Sequence, residues 1–130
     1  MLSRYTIYRR RPVDAGPLPE GIRQDARWRT RHLLRPTQEM VEDFLEDTSS
    51  TGWKKFRSSY LSLLKERFKE TPEEFRNLAE LATENDVYIG CNCPTAKNPD
   101  VHHCHTFLAL EFMSQKFPRL DIVFPKETEG

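Results

Sequence analysis

Long apolar stretches are missing from this sequence of 130 residues, whose apolar runs extend over only a few positions. A membrane-spanning helix needs about 20 such residues in succession. The opening residues, MLSRYTIYRRRP, also lack the apolar core and small-residue cleavage site of a signal peptide. The composition, 37% hydrophobic and 31% charged, is that of a soluble globular protein. We therefore expect one cytoplasmic domain over residues 1–130, with no membrane segment.

Cysteines are few and odd in number, since the chain has three, and Cys91 and Cys93 are separated by a single residue. Three thiols cannot all pair with one another, which excludes a complete framework of disulfides. In the reducing cytoplasm, such a group is typical of free thiols, metal ligands or a redox site.

Lysine is absent from residues 1–36, which contain nine arginines and three acidic residues, a net charge of +6. Residues 37–130 contain 11 basic and 17 acidic residues, a net charge of −6. A guanidinium group grips phosphate or carboxylate through paired donors. The arginine-rich segment therefore predicts either a phosphate-bearing ligand or ion pairs with the acidic helices of the same chain.

The first third of the chain predicts strands and loops. Alternating β-formers over residues 4–11 predict a strand. The proline- and glycine-rich residues 12–21 predict a loop. Residues 22–36 indicate a second strand or an irregular basic segment. Thr37 is a suitable N-cap for a helix that ends at TSSTG, residues 48–52.

The remaining two-thirds predict helices around a buried strand. Apolar residues recur three or four positions apart between Trp53 and Phe68, and Thr71, Pro72 and Glu74 form the capping-box pattern of another helix. The run 86–91 predicts a buried strand, 100–117 a helix and 120–124 a closing strand. A right-handed, Rossmann-like crossover in this C-terminal half would make its two strands parallel. The predicted fold class is α/β, with a small, mostly parallel sheet covered by helices.

The candidate site lies between residues 91 and 105, which contain all three cysteines and three of the four histidines. Cys91 and Cys93 follow a strand, and Asn98 or Asp100 would cap the next helix, so that residues 101–105 would form its first turns. Open α/β sheets bind ligands at such a junction. We expect the thiols to face the polar groups of the helix across one crevice. Those groups are His102, His103, Cys104 and His105.

An anionic ligand suits this junction, because the free N–H groups of a helix start attract anions and lower the pKa of a thiol. Lys97 would add positive charge at the mouth of the crevice. The candidate ligand-binding residues are Arg29, Arg31, Thr95, Lys97 and Asn98.

Three interpretations of the cysteines and histidines stay open. In one, zinc is bound by Cys91, Cys93, Cys104 and a histidine, assigned to His105. In another, Cys91 or Cys93 is a catalytic thiol tuned by His105. In the third, the cysteines are inert core residues and the histidines are solvated. The spacing C-x-C-x10-C does not decide among them, because it lacks the paired C-x2-C knuckles of common zinc modules.

Several motifs together resemble the domain of unknown function 488 family, which includes the YeaO-like small bacterial proteins. They are TGWKKFRSSYLSLLKERF, LAELA, the strand followed by Ala96-Lys97-Asn98, and CHTFLALEFM, with Trp28 and Pro36-Thr37 upstream. The resemblance implies a small cytoplasmic α/β domain without an established biochemical role. It also implies a shared site around Cys91, Cys93, Cys104 and His105. Compared with the YeaO-like members, this sequence inserts residues 91–94 and 99–100.

The sequence therefore predicts a domain that binds or processes a phosphate-bearing ligand, a nucleotide or nucleic acid, in the Cys/His crevice. The alternative is a non-catalytic interaction module with a structural zinc site or inert buried cysteines.

Overall fold

A computed structural model describes residues 1–126, in which three strands form one parallel sheet. Strand β1 is Leu2–Thr6, β2 is Ile22–Asp25 and β3 is Val87–Cys91, and their order in the sheet is β1-β3-β2. Leu2 and Ile22 both lie opposite Val87, so the central strand β3 pairs with a neighbour on each side. The carboxyl ends of all three strands therefore meet at one edge of the sheet, which we call the carboxyl edge.

Within the described part of the chain, four α-helices accompany this sheet, and the predicted α/β class is confirmed. Helix α1 is Gln38–Glu46, α2 is Ser50–Glu70, α3 is Pro72–Glu84 and α4 is His105–Lys116. Helices α1 to α3 connect β2 to β3, and α4 follows β3. The long helix α2 packs against the other three, and α4 also packs against β1 and β3. Within residues 1–126, no helix is long and apolar enough to cross a membrane.

The hydrophobic core is built where α2, α4 and the sheet meet. Its buried members include Tyr60 and Leu64 of α2, Val87 and Ile89 of β3, and Leu108 and Phe112 of α4. The spacing in α2 predicts this buried face, because residues three and four apart share one side of a helix. The buried hydroxyl of Tyr60 donates a hydrogen bond of 2.5 Å to the Leu34 carbonyl, which ties the irregular basic segment to the core.

The first two strands differ from the predicted ranges. Strand β1 ends before residue 11 because its partner β3 ends at Cys91. The last backbone hydrogen bond between the two segments is donated by the Ile7 N–H to the Cys91 carbonyl at 2.8 Å. Residues 12–21 form the predicted loop, with a short 3-10 turn at Val13–Ala15. The segment 22–36 combines both alternatives, because β2 covers its first four residues and an irregular path follows.

The predicted closing strand is reduced to one bridge. Ile122 pairs in parallel with Leu2 of β1, in the predicted orientation. The Leu2 N–H donates to the Asp121 carbonyl at 2.9 Å, and the Val123 N–H donates to the Leu2 carbonyl at 2.9 Å. This segment lies beyond β1 because β3 already has a neighbour on each side.

The start of the last helix is the largest correction. The sequence predicts it at residue 100 with Asn98 or Asp100 as cap, but α4 begins at His105 with Cys104 in the N-cap position. The Asn98 side chain instead donates to the His103 carbonyl at 2.6 Å, and the Asp100 carboxylate accepts the His102 N–H at 2.9 Å. Both predicted caps thus stabilise the loop 92–104, and His102 and His103 belong to that loop rather than to the helix.

Candidate functional site

The three cysteines converge at the carboxyl edge, as the sequence predicts. Cys91 is the last residue of β3, Cys93 lies in the loop that follows, and Cys104 precedes α4. Their sulfur atoms all lie within 4.8 Å of one another, and those of Cys91 and Cys104 are 2.9 Å apart. Cys91 and Cys104 are each only 3% exposed, whereas Cys93 is half-buried. We refer to the three residues as the thiol cluster.

Each sulfur of the thiol cluster accepts a hydrogen bond from a different side chain. Arg4 donates to Cys91 Sγ at 3.3 Å and Asn98 donates to Cys93 Sγ at 3.4 Å. The hydroxyl of Thr106 donates to Cys104 Sγ at 3.2 Å. A donor aimed at sulfur stabilises negative charge there. Each donor therefore favours negative charge at the sulfur that it contacts, whereas burial of the cluster opposes it.

Arg4 is the residue that joins the parts of the site. Besides Cys91, its guanidinium donates to the Cys93 carbonyl at 2.8 Å, to Thr106 Oγ1 at 3.0 Å and to Thr6 Oγ1 at 3.2 Å. These bonds connect β1, the loop after β3 and the first turn of α4. Arg4 therefore supplies both a positive charge and a fixed geometry to the thiol cluster.

The three thiols differ in acidity. A hydrogen bond with Cys104, a second with Cys93 and the charge of Arg4 hold the pKa of Cys91 well below its ordinary value, although burial opposes this. Burial and the bond given to Cys91 raise the pKa of Cys104 well above its ordinary value. For Cys93, a hydrogen bond with Cys104 lowers the pKa, but the bond to Cys91 and burial raise it to about 12. Of the three sulfurs, Cys91 is therefore the one on which negative charge is most favoured.

His105 lies beside the thiol cluster without being part of it. Its Nε2 is 2.8 Å from the Ala26 carbonyl, so this nitrogen carries the proton and Nδ1 is left unprotonated. Nδ1 lies 3.9 Å from Cys104 Sγ. Burial lowers the pKa of His105, which keeps the ring neutral. Of the other two histidines of the segment, His102 bonds Asp100, whereas His103 stacks on Trp53 and lines the cavity that opens above the cluster.

A cavity of about 410 Å³ opens above the thiol cluster. All three cysteines and His105 contribute to its lining. Its apolar walls are formed by Trp28, Phe44, Leu45 and Phe56. The walls come from α1, α2 and the segment after β2, which the topology brings over the end of β3.

Positive side chains stand around this cavity. Arg29 and Lys97 line it and are exposed, and Arg27 lines it while bound to Asp25 at 2.7 Å. Of the predicted ligand-binding residues, Arg29, Thr95, Lys97 and Asn98 all line the cavity. Arg31 is exposed and lies outside the lining.

Arg4 and Thr106 are contributors that the sequence patterns do not identify. Arg4 belongs to the predicted first strand, and Thr106 follows the histidine already chosen as a candidate. The only feature of the sequence that could have indicated either residue is the position of Thr106 in the first turn of the helix.

Comparison with known proteins places most of the chain in one family. A family model described as "DUF488-N3a: Active DUF488-N3 subclade" matches residues 8–117, more than half of the chain. No curated protein and no solved structure matches this chain. The matched range includes the thiol cluster and His105, whereas Arg4 lies before it.

Proposed function

This chain belongs to the DUF488 family of domains of unknown function, and from the geometry of its site we propose a function. The protein binds a phosphate-bearing ligand with a planar group, such as a nucleotide, in the cavity above the thiol cluster. The thiolate of Cys91 acts on that ligand. The observation that carries the proposal is the cavity, which combines cationic, aromatic and thiol side chains at the carboxyl edge of a parallel sheet.

The phosphate would be held by Lys97 and Arg29. Both are exposed at the cavity, and neither makes an ion pair within residues 1–126. Thr95 and Asn98 add polar groups on the same side of the lining. Cationic and hydroxyl donors around an open pocket are the usual means of holding a phosphate group.

The planar part of the ligand would lie against the aromatic walls. The Arg29 guanidinium carbon stands 5.2 Å from the centre of the Trp28 ring, which makes a flat, positively charged surface. Phe44 and Phe56 line the same cavity, with ring centres 5.3 Å apart. The volume of about 410 Å³ is within the range of small-ligand pockets.

Cys91 suits nucleophilic chemistry. Attack by its Sγ on an electrophilic centre of the ligand would form a bond to sulfur and break the bond to a leaving group, and attack of water on this intermediate would then release the product and regenerate the thiolate. The leaving group needs a proton, which the neighbouring thiol of Cys104 can supply, since its raised pKa keeps it protonated. The description of the matched subclade as active supports a chemical role.

Ligand titrations test the binding step. We expect nucleoside monophosphates to bind more tightly than the corresponding nucleosides, and Lys97→Ala or Arg29→Ala to weaken the nucleotide about tenfold, the equivalent of roughly 1.4 kcal/mol. Arg23→Ala is the matched control, because this exposed arginine of β2 contacts the Pro19 carbonyl and does not line the cavity. Equal affinity for nucleoside and nucleotide, or no binding of either at low salt, would contradict the proposal.

The chemical step has its own test. Cys91→Ser should abolish any turnover of a bound nucleotide and any covalent adduct detected by mass spectrometry, while leaving nucleotide binding within about twofold. If Cys91→Ser still turns over the nucleotide, Cys91 is not the nucleophile.

A metal ion is the second candidate, favoured by the mutual approach of the three sulfurs within 4.8 Å. Thiolate ligands fit zinc, which takes four ligands in a tetrahedron. Cys91, Cys93 and Cys104 would hold it, and His105, with its unprotonated Nδ1, would be the fourth. In this alternative the sulfurs are ligands rather than nucleophiles. If the domain binds zinc and no other ligand, it is a non-catalytic interaction module with a structural zinc site.

Elemental analysis of protein purified without added metal separates the two candidates. A metal site predicts close to one zinc per chain, loss of zinc in Cys104→Ser and retention in His103→Gln. A content below about a tenth of a mole of transition metal per chain would rule out the metal site.

A further inference from the structure

The basic residues of the first segment are gathered at the carboxyl edge by the sheet topology. Three arginines lie within five residues after the end of β1, three lie within six residues after the end of β2, and Lys97 follows β3. The arginines are Arg9, Arg10, Arg11, Arg27, Arg29 and Arg31. Because β3 lies between β1 and β2, the two arginine groups follow strands on opposite sides of the strand that ends at Cys91. The positive charge therefore extends across the edge, well beyond the cavity itself.

Most of these charges have no acidic partner within residues 1–126. Arg27 is paired with Asp25, and Arg11 is bound to the carbonyls of its own loop, at 2.7 Å to Gly16. The other five side chains are exposed and make no hydrogen bond or ion pair in the described part of the chain; they are Arg9, Arg10, Arg29, Arg31 and Lys97. We call these five the cationic rim. Ion pairing with the acidic helices, the alternative that the sequence leaves open, does not account for them.

Flat surfaces accompany the charge on both sides of β3. On the β1 side, the Arg11 guanidinium stands 5.4 Å from the centre of the exposed Tyr8 ring. On the β2 side, Arg29 covers Trp28. Aromatic rings and guanidinium planes are the groups on which unpaired bases stack, with little preference for sequence.

We propose that the cationic rim binds single-stranded nucleic acid, which crosses the carboxyl edge of the sheet with one nucleotide in the cavity. This inference rests on the proposed function, because it makes the bound nucleotide one unit of a strand. Phosphates on one side of that unit meet Arg9 and Arg10, and those on the other side meet Arg31. A single strand fits better than a duplex, because the cavity of about 410 Å³ requires a base free of its partner.

Oligothymidylates of increasing length test the inference. A ten-nucleotide strand should bind at least tenfold more tightly than thymidine monophosphate at low salt, and its affinity should fall steeply with salt. In the Arg9→Ala/Arg10→Ala variant, affinity for the ten-mer should drop about tenfold. The slope of log affinity against log salt should flatten by about 1.4, since each lost phosphate contact contributes about 0.7 on single strands. Affinity for thymidine monophosphate should stay unchanged.

The control removes equal charge from the opposite edge of the sheet. Lys116 and Arg119 lie at and after the end of α4, just before Asp121 contacts the amino end of β1. Lys116→Ala/Arg119→Ala should leave ten-mer binding intact. Equal loss in both double variants, tighter binding of a duplex of mixed sequence than of either single strand, or no gain with length would each overturn the inference.

The same titrations keep the two proposals apart. A gain in affinity with length that depends on Arg9 and Arg10 but not on Lys97 supports strand binding by the arginines of the rim and contradicts the cavity as the nucleotide site. Binding of the monophosphate that depends on Lys97, without any gain with length, supports the cavity and overturns the rim.

Discussion

Arg4 stands 87 residues before Cys91 along the chain, yet it donates a hydrogen bond to that sulfur. It also holds the Cys93 carbonyl and the Thr106 hydroxyl, so it fixes the geometry around the thiol cluster. Charge and position are thus supplied together by one side chain of the first strand. Arg4 is for this reason a positioning residue as well as an electrostatic one.

Replacing Arg4 should change the acidity of Cys91. In Arg4→Met, the pKa of Cys91 should rise, because the positive charge that helps to lower it is gone. Arg4→Lys keeps the charge, so its Cys91 should have a pKa between those in the native protein and in Arg4→Met. The measurement is a titration of thiolate ultraviolet absorbance on metal-free protein, with Arg23→Met as control. An unchanged titration curve in Arg4→Met would show that the bond to Cys91 has no electrostatic effect.

His32 should make the protein less stable in mild acid. Burial, with His105 nearby, lowers the pKa of His32 to about 4. Its Nδ1 accepts the Leu34 N–H at 3.0 Å, which requires an unprotonated ring. Because the unfolded chain takes up a proton near pH 6.5 and the folded chain does not, stability is lost as pH falls from about 6.5 to 4, by roughly 3 kcal/mol.

Urea unfolding at a series of pH values measures this loss. His32→Gln retains an acceptor and a donor but does not titrate, so its free energy of unfolding should decline less over the same interval. If the free energy of unfolding declines equally with falling pH in the native protein and in His32→Gln, the loss of stability does not come from His32.

Sequence patterns locate the thiols but not their partners. Cys91, Cys93 and Cys104 could be predicted to converge, because a strand end and the following helix are consecutive in the chain. Arg4 could not be placed, because its approach to Cys91 requires pairing between strands that are distant in sequence. Such long-range pairing leaves no local pattern.

At the scale of elements, the start of α4 shows why a helix boundary was mispredicted. Asn and Asp side chains serve turns and helix caps equally well, since both roles use the same bonds to nearby backbone groups. Here Asn98 and Asp100 serve the loop, and the helix begins only at His105. The interiors of the other helices and of β3 are predicted correctly because their burial periodicity is a property of the segment itself.

Two threonines that look alike in sequence should differ in their effect on stability. Thr37 accepts the Met40 N–H at 3.2 Å and caps α1 as predicted. Thr71 stands at the N-cap of α3 as predicted, but its hydroxyl donates to the Arg67 carbonyl at 3.0 Å and accepts no N–H, so the side-chain bond of the capping box is not formed. Thr37→Ala should cost about 1 kcal/mol, and Thr71→Ala less than about half of that. Chemical denaturation of both variants makes the comparison, and a larger loss in Thr71→Ala would contradict it.

At the scale of the whole molecule, β3 should be the last element to open. It alone is paired along both sides, and Val87, Ile89 and Cys91 are all buried. We expect its amides to exchange with deuterium more slowly than those of β1 and β2, and residues 12–21 to exchange fastest. Mass spectrometry of peptic fragments resolves these segments. Slower exchange in β1 than in β3 would contradict the expectation.

The position of Arg4 on an outer strand also gives the molecule an internal reporter. While β1 is docked, Cys91 is 3% exposed and bound by Arg4; when β1 separates, the same sulfur loses its cover and its donor together. The rate at which a thiol reagent too large to enter the cavity labels Cys91 would therefore follow the fraction of molecules in which the outer strand is detached. A single chemical label could thus count strand-opening events without any probe attached to the strand.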